Sequence, residues 1–308
     1  SIVNTQIENN VIFDNLSAQI KLDSSNNNKI LNNVIPCGVG IVGIATYFGD
    51  GNSILGNTIS DCELKGIEAG QEKNFIVSDN LVDMQNSGNF QPMGMDIGSD
   101  SASLIGNTVQ NSHYGIRYSG MDSIIKNNII SNHSVIGLSS DRGGKTIITE
   151  NNMSDNEMGI SLRGGESVYH NNFISNNVDG SGITMNTGGN YWENFSLNCS
   201  DNNNDNFCDE SHPLSSIHNI QDNFWIVQDG WKTIIDTPSN STVNAVDSSG
   251  LSHNYSVSAT HDGDFMGVSC DYVSGSTFPI GVTDVLCTAN NGIHSTFSVT
   301  VNPPPPIL

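Results

Sequence analysis

GNTISDCELKGIEAG (56–70), GNTVQNSHYGIRYSG (106–120), ENNMSDNEMGISLRG (150–164) and HNNFISNNVDGSGITM (170–185) are copies of one unit. Each carries Asn, then x-[IVMF]-x-x-[NDCS], and reaches Gly plus an aliphatic residue within about ten positions. Outward from these copies the pattern is anchored at Asn9, Asn32, Asn57, Asn80, Asn107, Asn127, Asn151 and Asn171, at intervals of 23, 25, 23, 27, 20, 24 and 20 residues. Units this short, broken by Gly and Asn, cannot hold two helices, and the Leu ladder of leucine-rich repeats is absent. Two or three short strands per unit, with Asn at the corners, fit one coil of a right-handed parallel β-helix. Equivalent positions then stack at about 4.8 Å, so inward Ile, Val, Met and Phe form a ladder and corner Asn side chains bond along it. Asn also tolerates the left-handed backbone of a tight corner. Aliphatic residues recurring in phase set the pattern apart from low-complexity disorder.

The same phase predicts a cross-link. Cys37 and Cys62 each lie five residues after an anchor. They share one slot in successive coils, and Cα atoms about 4.8 Å apart fall within disulfide range.

Composition narrows the function. The 308 residues include 32 acidic and 10 basic side chains, a net charge of −22, with no clustered Lys/Arg footprint for nucleic acid. Polarity comes instead from 43 Asn, 35 of them before position 207. No apolar run approaches the ~20 residues of a membrane-spanning helix. The start at Ser1 and the run Pro303–Pro306 suggest a processed product, with 303–308 a Pro-rich tail or linker. Six Cys and seven N-x-[ST] sequons, at Asn15, Asn132, Asn152, Asn194, Asn198, Asn240 and Asn254, point to a secreted or cell-surface glycoprotein.

Residues 1–233 close in GGNYWENF (188–195), an Asp/Asn-rich loop and DNFW (222–225). This ending resembles the NosD-like, carbohydrate-binding-and-hydrolysis class of parallel β-helix proteins, although Phe224 and Trp225 replace its usual Tyr-Pro. The expected β-helix has about eight to nine coils. Copper, associated with some members of that class, finds no support in the eight His and eight Met, which are scattered.

Beyond Asp236 short alternating stretches, YSVSAT (255–260), DVLCTA (284–289) and STFSVTV (295–301), predict a small β-sandwich over 234–302. VSCDYVSGSTFPIGVTDVLCTANNG (268–292) is similar to the HYR (hyalin repeat) module, an immunoglobulin-like extracellular domain. That resemblance implies a Cys270–Cys287 disulfide and a spacer or adhesive role. Asn-Asn-Gly stands where the module commonly has an acidic turn, so no metal site is carried over.

Asp201, Asn203, Asp205, the Phe207 carbonyl and Asp209 occupy positions 1, 3, 5, 7 and 9 of a calcium loop, making calcium the expected cofactor. Asn206 replaces the turn Gly and His212 the bidentate Glu, so this is no complete EF-hand. Cys199 and Cys208 flank the loop and can close it as a disulfide.

A second constellation follows each Gly-aliphatic pair: Ala45, Glu68, Asp96, Arg117, Ser161 and Thr184, with Tyr47, Ser119, Arg163 and Asn186 two positions on. Glu68, Asp96 and Arg117 stack on consecutive coils. An enzyme would use Glu68 or Asp96 for proton transfer and Arg117 as a clamp on a sugar carboxylate. The favoured reading is an outward ladder with an Asp96–Arg117 surface pair worth little, since dispersed Lys and Arg offer few cations to a polyuronate. His113, His133 and His170, near coil corners, are expected at the surface. Trp192, Trp225 and Trp231 are expected to cap the last coil rather than to stack on sugar.

Three function classes remain. The leading one is a calcium-stabilised, glycosylated structural or adhesive protein. Repeat phase starts within ten residues of the N-terminus, so the first coil is expected to be covered either by further sequence or by a neighbouring molecule, the latter giving head-to-tail self-association into filaments or arrays. The alternatives are a polysaccharide-binding protein and a polysaccharide lyase, hydrolase or epimerase.

Overall fold

Each repeat folds into three short strands that pair, in parallel, with the same strands of the coils before and after. The computed structural model describes residues 2–38, 40–85, 91–142, 144–181, 189–193, 200, 202, 208–209, 212–215, 220–222, 233–261, 264–290 and 294–304. The chain divides into Ser1–Gly230 and Trp231–Leu308.

The first unit is a parallel β-helix of three eight-stranded sheets. The first sheet runs from Gln6–Glu8 to Ser167–Tyr169, the second from Val34–Pro36 to Tyr191–Trp192, and the third, with the longest strands, from Ala18–Asp23 to Val178–Ser181. About seven turns are complete, fewer than the eight to nine expected, because the outermost repeats supply only parts of a coil. Three-residue strands alternate out, in, out, so one aliphatic residue per strand enters the core. Ile30, Ile54 and Val77 stack on the first sheet, Ile35, Ile59 and Val82 on the second, and Ile44, Ile67 and Met95 on the third, all 0% exposed.

At three corners the inward asparagine lies one position after the sequence anchor. Asn9, Asn32 and Asn127 take the left-handed backbone, at φ 56°, 54° and 56°, and the following Asn turns inward. The row facing the interior is therefore Asn33, Asn57, Asn80, Asn107, Asn128, Asn151, Asn171 and Asn190, each at most 1% exposed. Every Oδ1 along it accepts from the Asn one coil earlier. Asn107 Oδ1 takes the Asn80 backbone N–H at 3.1 Å and Nδ2 at 2.9 Å, while Asn107 Nδ2 donates to the Val77 carbonyl at 2.9 Å. A side-chain amide thus replaces the backbone partner that the chain loses on leaving the sheet.

A second inward row, Ser112, His133, Asn156 and Asn176, corrects the reading of His133 as a surface residue. It is 1% exposed. Its Nδ1 lies 3.3 Å from the Ser112 amide nitrogen and 2.9 Å from the Ser112 hydroxyl, and its Nε2 is 3.1 Å from the Val109 carbonyl. Neutral imidazole offers one acceptor and one donor, as the Asn amide does, so it fits the same slot. Burial holds its pKa down at about 4.

Cys37 and Cys62 are disulfide-bonded across adjacent coils, with Cα atoms 4.7 Å apart. Trp192 is fully buried and stacks on Phe173, ring centroids 3.9 Å apart, so it packs the core and offers no sugar platform. Trp225 and Trp231 lie outside the described residues.

The second unit contains a four-stranded sheet of Ser241–Asn244, His294–Asn302, Gly281–Ala289 and Val268–Cys270. Its first pair is parallel and the others antiparallel. Smaller antiparallel pairings join Thr233–Asp236, Ser258–His261 and Asp264–Met266, and Leu251–Ser252 with Thr277–Phe278. Phe278, Val285, Phe297 and Val299 form its core, and a Cys270–Cys287 disulfide links neighbouring strands.

Candidate functional site

The outer face of the third sheet carries the side chains that the repeat phase brings together. Ala45, Glu68, Asp96, Arg117, Ser139 and Ser161 are register partners on six consecutive coils. Ser139 completes this row, and its signal was the Ile-Gly-Leu of residues 136–138, the same Gly-aliphatic step. Thr184 and Asn186 lie outside the described residues.

The ion pairs differ from the expected Asp96–Arg117 pairing. Lys65, three residues before Glu68 on the same strand, reaches Glu68 Oε1 at 2.5 Å and, one coil on, Asp96 Oδ2 at 2.6 Å. Its ammonium bridges both stacked carboxylates and offsets one of their two charges, and Arg117 turns to the next coil, where Nε donates to Asp141 Oδ2 at 2.6 Å. Tyr47 OH donates to Glu68 Oε2 at 2.5 Å. Lys65 precedes the Gly of its repeat, outside the slot the sequence pattern defined, and only its i,i+3 spacing to Glu68 hinted at the pair.

These contacts set the charge states. Burial opposes the Glu68 carboxylate, but hydrogen bonds from Lys65 and Tyr47 outweigh it and hold the pKa below the usual range. Burial likewise opposes the Lys65 ammonium, and hydrogen bonds to Asp96 and Glu68 win, raising its pKa. Burial, then the bond to Glu68, pushes the Tyr47 phenol up. A general acid needs a carboxyl that keeps its proton near neutral pH. Glu68 is held the opposite way, ionised with both oxygens engaged, which suits a fixed hydrogen-bonding surface better than proton transfer.

Further along, Met93, Tyr114, Arg117, Ile136, Ser139, Asp141, Ser161 and Arg163 line most of a cleft of about 330 Å³. A hydrogen bond to Asp141 is the main cause of the raised Arg117 pKa, and it also fixes the guanidinium. Arg163 is exposed and enters no ion pair among the described residues. The cleft joins an aromatic ring, aliphatic side chains, hydroxyls and two guanidinium groups on one rigid wall.

The remaining sequence candidates are placed as follows. Of the calcium-loop residues only Asp209 is described, its Oδ2 accepting from the Asn202 amide nitrogen at 2.8 Å; Asp201, Asn203, Asp205 and Phe207 lie outside the described residues. The Cys199–Cys208 pairing falls outside them too. Among the sequons Asn15, Asn132, Asn240 and Asn254 are exposed, whereas Asn152 sits within a strand with its carbonyl oxygen buried. Asn194 and Asn198 are not among the described residues. Described His, Cys, Asp and Glu residues include no group of three or more placed to hold a metal ion.

Among curated proteins none matches the chain. The crystal structure of Dettilon tailspike protein is similar with a TM-score of 0.42 and 16% identity, over 61% of this chain and 55% of that one. The chain thus spans about half the length of that protein. The family model described as periplasmic copper-binding protein (NosD) matches residues 42–230, more than half of the chain, which therefore belongs to the NosD family.

Proposed function

We propose that the protein is a secreted or cell-surface adhesive protein whose β-helix binds polysaccharide, without cleaving it, along the outer face of the third sheet. The observation that carries this reading is the register-locked row from Ala45 to Ser161 leading into the cleft at Tyr114 and Arg117. A linear polysaccharide repeats hydroxyls and apolar ring faces along its length. A parallel stack repeats side chains at about 4.8 Å along its axis, so contacts add along the polymer. Lys65 engages both Glu68 and Asp96, and the lowered Glu68 pKa keeps that carboxyl ionised, unsuited to act as an acid. Disulfides and the periplasmic description of the family support a place outside the cytoplasm.

Copper, named in the family description, does not fit the described residues. Met84, Met95 and Met153 are core side chains, and His133 spends both ring nitrogens on the corner row. Calorimetric titration of the intact chain with a panel of neutral and acidic polysaccharides tests the reading, with a parallel assay for new reducing or unsaturated ends. Binding without new ends is expected. New ends would make it an enzyme, and no binding to any polymer would remove the glycan from its function.

The C-terminal unit serves in this reading as an HYR-type spacer, and calcium bound by the loop at 201–209 stabilises the fold. Self-association through the first coil, where Val11, Phe13 and Leu16 are 65%, 58% and 76% exposed, is the second reading. With a charge of −22, copies repel unless divalent cations bridge them. Millimolar calcium is therefore expected to raise both the melting temperature and the sedimentation coefficient relative to a chelator; superimposable curves would remove calcium and assembly together.

A further inference from the structure

All three arginines of the chain belong to one neighbourhood. Arg117 and Arg163 line the cleft on the third sheet, and Arg142 follows directly on Asp141, the carboxylate that fixes Arg117. Along the sequence the ten basic residues are dispersed, and they argued against an anionic polymer. Coiling overturns that argument, because residues about 23 apart become neighbours across one sheet. In a chain of charge −22, this cleft is where guanidinium groups converge.

The geometry points to a uronate-containing polysaccharide as the ligand of this cleft, with Arg117 and Arg163 receiving its carboxylates. The inference rests on the glycan-binding reading above and names the class of glycan. Arg117 stands two coils from Ser161, about 10 Å at the spacing of stacked strands, and Arg163 follows Ser161 by two residues, which puts the two arginines roughly 10–12 Å apart. That separation suits carboxylates on nearby sugars of one chain. Arg117 gives Nε to Asp141, which holds the guanidinium plane, and its terminal nitrogens are its further donors. Tyr114 and Ile136 are register partners on the same wall and offer an apolar surface to a ring face. Ser139 and Ser161, one coil apart, also line the cleft. Earlier on the same face Lys65 bridges Glu68 and Asp96 and offsets one of their two charges, which halves the repulsion where the polymer would pass.

The test is calorimetric titration of the intact chain, at low salt, with oligogalacturonate and with the same oligomer carboxyl-reduced to neutral galactose units. The acidic form is expected to bind at least about tenfold more tightly, a preference that rising salt erodes. Arg163→Gln is expected to remove most of that preference and to leave the melting temperature unchanged. Equal affinity for the two forms, or a preference surviving in both Arg163→Gln and Arg117→Gln, would overturn the uronate assignment and leave glycan binding standing. Failure of both oligomers and of every neutral polysaccharide to bind would overturn the glycan reading itself.

Discussion

Replacing Asn107 by Leu is expected to lower the unfolding free energy by about 3–5 kcal/mol, although Leu has nearly the same shape. Asn107 sits mid-row with no exposed surface. Its removal leaves the Asn80 backbone N–H without its acceptor and the Val77 carbonyl without its side-chain donor. Each buried polar group so stranded costs roughly 1–3 kcal/mol, far more than the net worth of the bond it made. The same substitution at Asn10, the exposed residue that donates to Asn33 from one coil before the row, strands only groups that water can reach, and should cost well under 1 kcal/mol. Urea titrations of both variants measure the contrast. Equal midpoints for Asn107→Leu and the parent would show that the asparagine row decorates the corner without supporting it.

Acid sensitivity traceable to one histidine is the second large effect. His133 is neutral in the fold, with a pKa of about 4 against 6.5 in the unfolded chain. As pH falls below 6.5 the unfolded chain takes up a proton that the fold refuses, so stability drops until the folded pKa is reached. Between pH 7 and 5 the loss is roughly 2 kcal/mol, and it approaches roughly 3 kcal/mol by pH 4. His133→Asn should abolish this slope, because Asn156 and Asn176 already fill the equivalent slots one and two coils on. Unfolding free energies at pH 7 and 5 separate the outcomes: a parent and variant that lose equal stability would place the acid-sensitive group elsewhere.

The coil and its core were legible because two periodic demands coincide. A left-handed corner selects Asn, Gly or Asp, and one inward position per strand selects an aliphatic residue. Where Asn32 and Asn33 adjoin, both residues meet the corner's chemistry, and only the backbone decides which turns left-handed. His133 was misread because sequence patterns weigh hydropathy, whereas the slot requires an acceptor and a donor. Stacking of Glu68, Asp96 and Arg117 followed from phase, but their partners did not. Lys65 lies out of phase, and Asp141 joins Arg117 through a bend after its strand. Convergence of Arg117 and Arg163 was likewise invisible to a count of dispersed cations, since repeat folding shortens 46 residues of chain to two coils.

Amide hydrogen exchange of the intact chain, with and without a saturating acidic oligosaccharide, tests the glycan-binding face most directly. The account predicts slowed exchange at Tyr114–Tyr118, Ile136–Ser140 and Met158–Ser161, and unchanged exchange on the first and second sheets. Protection confined to those other sheets or to the C-terminal unit would contradict it.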